Sequence, residues 1–340
     1  MRAEWTPLAL SAGAHPSTGS GAPESKGPDE APWIISRTQD LVWFQGSVVA
    51  GLALLAFFVA VPTSSPLALT ALFLWGVLFD GTHVLGTHVR AGNSQGSRPW
   101  ALLLVGPAIA LLSHGAFAGF LLAAYVWAYW HLVRQHYGFL ALYRRRANAT
   151  DPGERRLETA LLWAGSLYPY LRFSLTPAFA RSGLPVLAPP WLAPWHLDVA
   201  AAVVLAALVT AVLVKTRGRL GPRHLLIAVV TLFHCAVFGL LNDLLAITAT
   251  LTIFHNLQYH RIVWHTEQAQ GRVPAGGLAR YLGLGVALGL AWYGPRVLGV
   301  AFAPSPLVRD VLLGLGWGVA FQHYWVDGRI WKQPRKQATA

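Results

Sequence analysis

Histidines occur in four short stretches of the sequence, each at the end of an apolar run. The stretches read FDGTHVLGTHVR, WHLVRQHYGF, HNLQYHRIVWH and QHYWVDGRIWK, and they contain His83 and His88, His131 and His136, His255, His260 and His265, and His323. A neutral imidazole is the usual nitrogen ligand of iron, copper and zinc in proteins. The pattern therefore predicts a metal site built from histidines that are far apart in the sequence.

Carboxylates and a tyrosine accompany these histidines. Asp80 precedes His83 by three residues and Asp327 follows His323 by four, so each pair can share one face of a helix. An aspartate beside a ligating histidine commonly accepts its second N–H and orients the ring, and it can also bind the metal directly. Together with Tyr259 in the third stretch, these aspartates are the candidates for a role in catalysis.

The spacing within the stretches limits which histidines can act together. His131 and His136, like His255 and His260, are five residues apart, a step of about 500° that leaves their side chains roughly 140° apart on a straight helix. Either the helix is distorted by a π-bulge, or the two histidines serve two metals, or one of them is not a ligand. The predicted ligands are His83, His136, His260 and His323, with His131 and His255 next, whereas His88 and His265 are expected at the membrane interface and His114 and His234 in hydrogen bonds between helices.

Transmembrane helices are the elements that must position these side chains. The chain of 340 residues is 54% hydrophobic and only 12% charged, against about a quarter charged in soluble domains. Its apolar runs cover residues 43–61, 66–88, 99–113, 116–142, 157–172, 198–214, 223–240, 243–264, 280–298 and 308–328. They predict an all-α, polytopic membrane bundle of about 8–10 helices.

Basic residues indicate how this bundle is oriented. Most of the Lys and Arg residues fall in alternate connections, whereas the opposite connections hold only Arg172, Arg181, Arg296 and Arg309. This bias predicts that both termini are in the cytoplasm, and it accounts for the net charge of +12 without a nucleic-acid partner. All four histidine stretches then end on the cytoplasmic side. The expected location is a bacterial inner membrane.

The composition also divides the chain into three parts. Residues 1–40 are rich in Pro, Gly and Ser and are predicted to form a disordered cytoplasmic tail. Residues 41–330 form the transmembrane domain with the histidine-rich site, and residues 331–340 form a short basic tail.

The available ligand types narrow the choice of metal. Cys235 is the only cysteine, so a cysteine-based zinc or iron–sulfur site is excluded. A histidine-rich site with one or two carboxylates suits one or two Fe(II) ions well, and zinc or copper less distinctively. Iron favours O2 chemistry on a lipophilic substrate, whereas zinc favours hydrolysis. The expected partners are a carotenoid, polyene or fatty acyl chain, membrane lipids and, for an oxidase, a redox partner.

The ordered motifs resemble those of the Brp/Blh family, which are membrane β-carotene dioxygenases that produce retinal. The matching segments are DGTH with His83, HYG with His136, HNLQYH with His255 and His260, and HYWVD with His323 and Asp327. The resemblance implies that these histidines bind non-haem iron and that the reaction is oxidative cleavage of a polyene. The H-x4-H spacing is also similar to one histidine box of membrane desaturases and hydroxylases, although the H-x-x-H-H box of those enzymes is missing from the sequence.

Two other classes of protein remain open from the residues alone. Histidines at one depth on facing helices could bind haem between two imidazoles in a redox protein. A transporter of metal ions or small molecules could also use them, although its ligands are expected near the middle of the membrane.

Overall fold

The computed structural model describes residues 32–91, 99–271 and 277–330. This part of the chain is helical and contains no β-strand. The helices are α1 (Arg37–Asp40), α2 (Val48–Ala60), α3 (Pro66–Trp75), α4 (Gly81–Ala91), α5 (Leu102–Leu112), α6 (His114–Arg146), α7 (Pro152–Ser174), α8 (Pro177–Arg181), α9 (Pro194–Thr216), α10 (Pro222–Leu240), α11 (Leu244–Ala269), α12 (Gly277–Ala301) and α13 (Pro306–Ile330). A short π-helical turn at Leu41–Gln45 lies between α1 and α2, and a second one at Gly76–Asp80 joins α3 to α4.

The all-α, polytopic membrane bundle predicted from the sequence is confirmed. Six helical stretches among the described residues are long and apolar enough to cross a membrane, and α5 is a shorter apolar helix. Each of the ten predicted apolar runs coincides with a helix or with two helices joined by a π-turn. The protein is therefore an integral membrane protein.

The predicted segments differ from the structure at the start of the helical part and at Arg296. Residues 1–31 and 331–340, which include most of both predicted tails, lie outside the described residues. The helical part begins at Arg37, inside the predicted disordered tail, because Ser36 caps the helix and Asp40 is buried against the Ile34 amide. Arg296 was assigned to a connection, but it lies inside α12.

The helix α11 occupies the centre of the bundle. It contacts α2, α4, α6 and α10, and most of its turns are buried although the helix carries many polar residues. The carboxylate of Asp243 caps its first turn by accepting from the amides of Leu245 and Ala246 at 3.0 and 2.9 Å. By contrast, only 6% of the apolar window of α9 is buried, so this helix faces lipid. Helix α11, which carries polar residues, is thus enclosed by apolar helices. Its histidines are therefore kept away from lipid.

A close crossing of two backbones holds the segment that carries Asp80 and His83. A methyl group on Gly81 would lie 2.7 Å from the Cα of Gly289 in α12, and one on Gly289 would collide with the carbonyl oxygen of Val77. Small residues allow this kind of approach between membrane helices. The crossing lies beside the π-turn Gly76–Asp80, immediately before His83.

Substitution of Gly289 by alanine is expected to destabilise the protein by about 1–3 kcal/mol, because the added methyl group must push α12 away from the π-turn. The matched control is Gly283→Ala on the same helix, where an added methyl group meets no atom of the described residues within 4 Å. Unfolding of both variants in mixed micelles measures the difference. Equal stability of the two variants would mean that the crossing does not constrain the helices.

Candidate metal centre

Four histidines from four different helices meet in the interior of the bundle. They are His83 in α4, His131 in α6, His255 in α11 and His323 in α13. All four are buried, with at most 7% of each residue exposed. At least 48 residues separate each of these histidines from the next along the chain, so they meet only in the folded protein.

The four imidazoles form a closed ring of neighbours. The ring centroids of His83 lie 4.9 Å from those of His255 and 4.5 Å from those of His323. The centroids of His131 lie 5.5 and 5.2 Å from the same two rings. Two imidazoles that bind one ion through nitrogens at about 2.1 Å have centroids roughly 4.5–6 Å apart, so all four separations suit one shared ion.

The nitrogen atoms of three of the four rings, those of His83, His131 and His255, fit the same arrangement. The Nε2 atoms of His83 and His255 are 3.4 Å apart, which is long for a hydrogen bond. Two nitrogens bound at about 2.1 Å to one tetrahedral ion lie about 3.4 Å apart. One nitrogen each from His83, His131 and His255 lies within 4.8 Å of the other two. The Nε2 atom of His131 is buried without a hydrogen-bond partner among the described residues, so it is free to bind a metal.

Neighbouring residues hold these rings in place. Tyr259, a candidate catalytic residue from the sequence, packs edge-on against His83 with centroids 4.2 Å apart. Its hydroxyl lies 2.6 Å from that of Thr87, which donates to the carbonyl oxygen of His83. Tyr259 is therefore suited to position His83.

Two further contacts position the remaining rings. The side-chain amide of Gln135 donates to the carbonyl oxygen of His255 at 2.8 Å. Tyr324 stacks on His131 with centroids 4.3 Å apart and an interplanar angle of 26°. Each contact restricts the helix or the ring that carries a candidate ligand.

Two of the predicted ligands lie outside the ring of four. His260 has partners for both ring nitrogens, since Nε2 lies 3.0 Å from the Thr82 hydroxyl and Nδ1 lies 3.0 Å from the Tyr281 hydroxyl. His136 packs against His234 instead, with centroids 5.8 Å apart. In each H-x4-H pair one member thus lies outside the ring of four, and both ring nitrogens of His136 are buried without a hydrogen-bond partner among the described residues.

His234 has a defined hydrogen-bonding state. The hydroxyl of Tyr129 donates to the carbonyl oxygen of Ser166 at 2.6 Å, so it must accept from Nδ1 of His234, which is 2.8 Å away. This contact joins α6, α7 and α10, as expected for a hydrogen bond between helices. His114 likewise contacts another helix, through Asp310 at 2.7 Å.

The other sequence candidates have these places in the structure. Asp80 accepts a hydrogen bond from the hydroxyl of Tyr293. Asp327 is 8% exposed and lies one turn after His323 on α13. His265 is partly buried on α11, and the side chain of His88 lies outside the described part of the structure.

A cavity of about 250 Å³ opens at the histidine ring. All four histidines line it, and so do aromatic residues that include Trp75, Tyr129, Tyr170, Phe179, Phe238 and Trp317. An apolar cavity with a few convergent polar groups is the usual form of a small-molecule site. The arrangement can hold a metal ion beside an apolar ligand, away from bulk water.

Sequence reasoning missed three residues of this site. Tyr324 follows His323 directly, so its position in the motif was the available signal. Tyr293 and Arg296 line the cavity from α12, and the intramembrane charge of Arg296 was their signal.

Comparisons with protein-family models, curated proteins and solved structures found no match for this chain. Its fold and site therefore define it only as an all-α integral membrane protein with a histidine group that could hold a metal ion.

Proposed function

We propose that this protein is a membrane-bound, non-haem iron oxygenase or oxidase that acts on a lipophilic substrate. The observation that carries the proposal is the ring of four buried imidazoles in the wall of an aromatic cavity. His83, His131, His255 and His323 would hold the metal. Fe(II) bound there would supply the activation of O2, and a histidine-rich, thiolate-free ligand set suits that ion.

The protein residues around the site bind and orient the substrate and exclude water. Trp75, Tyr170 and Phe238 provide apolar walls for a polyene, carotenoid or acyl chain. The cavity volume of about 250 Å³ is below the roughly 300–1,000 Å³ of pockets that enclose a whole drug-sized ligand. A long substrate would therefore place one segment beside the histidines while the rest extends towards the bilayer.

The resemblance to the Brp/Blh family agrees with this proposal in reaction class. In the resemblance His136, His255 and His260 are ligands, whereas the contacts described above favour His131 in place of His136 and leave His260 outside the ring of four. We propose oxidative attack on a polyene or alkyl chain as the reaction class, in a bacterial inner membrane with the basic connections in the cytoplasm.

Bis-histidine haem binding is the second candidate function, because the site contains several buried imidazoles. Haem requires two imidazoles on opposite faces of a wide macrocycle. Here each ring has two neighbours at 4.5–5.5 Å, which favours a compact ion over a macrocycle.

Elemental analysis of the detergent-purified protein, before and after anaerobic loading with Fe(II), tests the proposal. We expect one iron per chain, no Soret band, and O2 consumption when a polyene or an unsaturated lipid is added. Zinc at full occupancy would favour hydrolysis, and a Soret band would favour haem. Failure to retain any metal after loading would overturn the assignment.

A further inference from the structure

A second polar group lies on the cavity wall and is not used by the proposed metal site. It consists of Asp80 from the π-turn before α4 and Tyr293 and Arg296 from α12, all of which line the cavity. Charged groups inside a membrane segment are costly and mark functional sites by default. The question is what this group binds.

Arg296 has an unsatisfied capacity to donate hydrogen bonds. Its guanidinium lies 4.6 Å from the centroid of the Tyr293 ring, a cation–π contact that uses none of its N–H groups. Arg296 and Asp80 form no ion pair in the described part of the chain. A guanidinium carries five donors and no acceptor, and those of Arg296, which lines the cavity, have no acceptor among the described residues.

The packing around Arg296 preserves this space. Gly316 on α13 also lines the cavity, and a methyl group there would collide with the guanidinium and lie 3.1 Å from Cδ. One carboxylate oxygen of Asp80 accepts from the Tyr293 hydroxyl. Asp80 lines the cavity, and its other oxygen accepts no hydrogen bond from the described residues.

We propose that Arg296 and Asp80 together bind the hydroxyl group of a lipophilic alcohol, such as an isoprenoid or polyene alcohol. A hydroxyl can accept from the guanidinium and donate to the carboxylate at the same time. A carboxylate would be repelled by Asp80, an amine would be repelled by Arg296, and an ether or ketone would leave Asp80 without a donor. An unsubstituted hydrocarbon would leave both buried groups without a partner, which is strongly unfavourable.

This inference rests on the proposed function and specifies its substrate class. Asp80 lies three residues before His83, about 4.5 Å along the helix axis at 1.5 Å per residue. The hydroxyl would therefore be anchored about one turn from the metal ligands. The carbon that reacts would then lie only a few bonds from the hydroxyl, with the rest of the chain along the aromatic walls.

The test is equilibrium binding of four matched probes to the full-length protein in detergent micelles. The probes are geranylgeraniol, its methyl ether, the corresponding hydrocarbon and the corresponding carboxylic acid. We expect the alcohol to bind at least about tenfold more tightly than the other three, since one hydrogen bond to a charged group is worth about 1.5–3 kcal/mol. This comparison uses the wild-type protein and does not depend on the stability of any variant.

Two variants then assign the preference to the proposed residues. Arg296→Gln and Asp80→Asn should each remove most of the preference for the alcohol, while Arg309→Gln, in an exposed arginine beside Asp310, should not change it. Metal content is measured on the same samples. An alcohol preference in protein that retains no iron even after loading would reject the proposed oxygenase but support the hydroxyl site.

Other outcomes would overturn the inference. Equal affinity for alcohol and methyl ether would exclude donation to Asp80. Tightest binding of the acid, improved further by Asp80→Asn, would identify a carboxylate site instead. An unchanged preference in Arg296→Gln would place the hydroxyl elsewhere in the cavity.

Discussion

Replacement of His131 or His255 by alanine is expected to lower the affinity for Fe(II) by more than about a hundredfold, since loss of a residue that only orients a ligand already costs about 10–100-fold. Replacement of His136 or His260 should lower it by less than about tenfold, since neither imidazole belongs to the ring of four. The two pairs therefore provide internal controls. Within each pair, the two substitutions remove an imidazole from the same helix at positions five residues apart.

Titration of the metal-free variants with Fe(II) against a chromogenic chelator measures this difference, and gel filtration checks that each variant remains folded. A larger loss in His136→Ala than in His131→Ala would reverse the assignment within α6. Equal losses in all four variants would indicate two coupled metal ions. That result would favour the alternative in which the two histidines of each pair bind different metal ions.

The sequence could not choose between the members of these pairs for a physical reason. Helix α2 and the middle of α9 are apolar on all sides, because lipid surrounds one part of the bundle and apolar neighbours surround the rest. Polarity therefore does not show which face of a neighbouring helix points inwards. His260 could be set apart from His255 only once Thr82 and Tyr281 were seen to occupy both of its nitrogens.

The helical segments were predictable from the same property. A helix that crosses lipid must be apolar over about 20 residues, so the ten runs were visible without any knowledge of their packing. The close crossing of Gly81 and Gly289 was not visible, because a glycine in an apolar run gives no indication of its partner. Arg296 was misplaced for a related reason. A charge near the end of a run is read as a connection unless the cavity that it lines is known.

Ionic contacts at one end of the bundle involve some of the basic residues first attributed to membrane orientation. Glu158 in α7 is fully buried, and it accepts hydrogen bonds from Arg144 in α6 and from Nε of Arg223 in α10, the latter at 2.6 Å. Arg223 also contacts Glu154. Glu154, Glu158 and His224 are close enough together to hold a metal. However, two guanidinium groups already neutralise both carboxylates, which favours an ion-pair network that joins three helices.

Glu158→Ala is therefore expected to lower the free energy of unfolding by about 3–5 kcal/mol, because it leaves two poorly exposed guanidinium groups without their common acceptor. The control is Lys215→Met, which removes an ion pair to Asp151 whose side chains are 45% and 43% exposed. That change should cost no more than about 1 kcal/mol, since water already screens an exposed pair. Reversible unfolding in mixed micelles, followed by circular dichroism, gives both values. A loss in Glu158→Ala no larger than in the control would show that burial of this network adds nothing to stability. If a divalent metal stabilised the wild-type protein but not Glu158→Ala, that result would instead favour metal binding by the same residues.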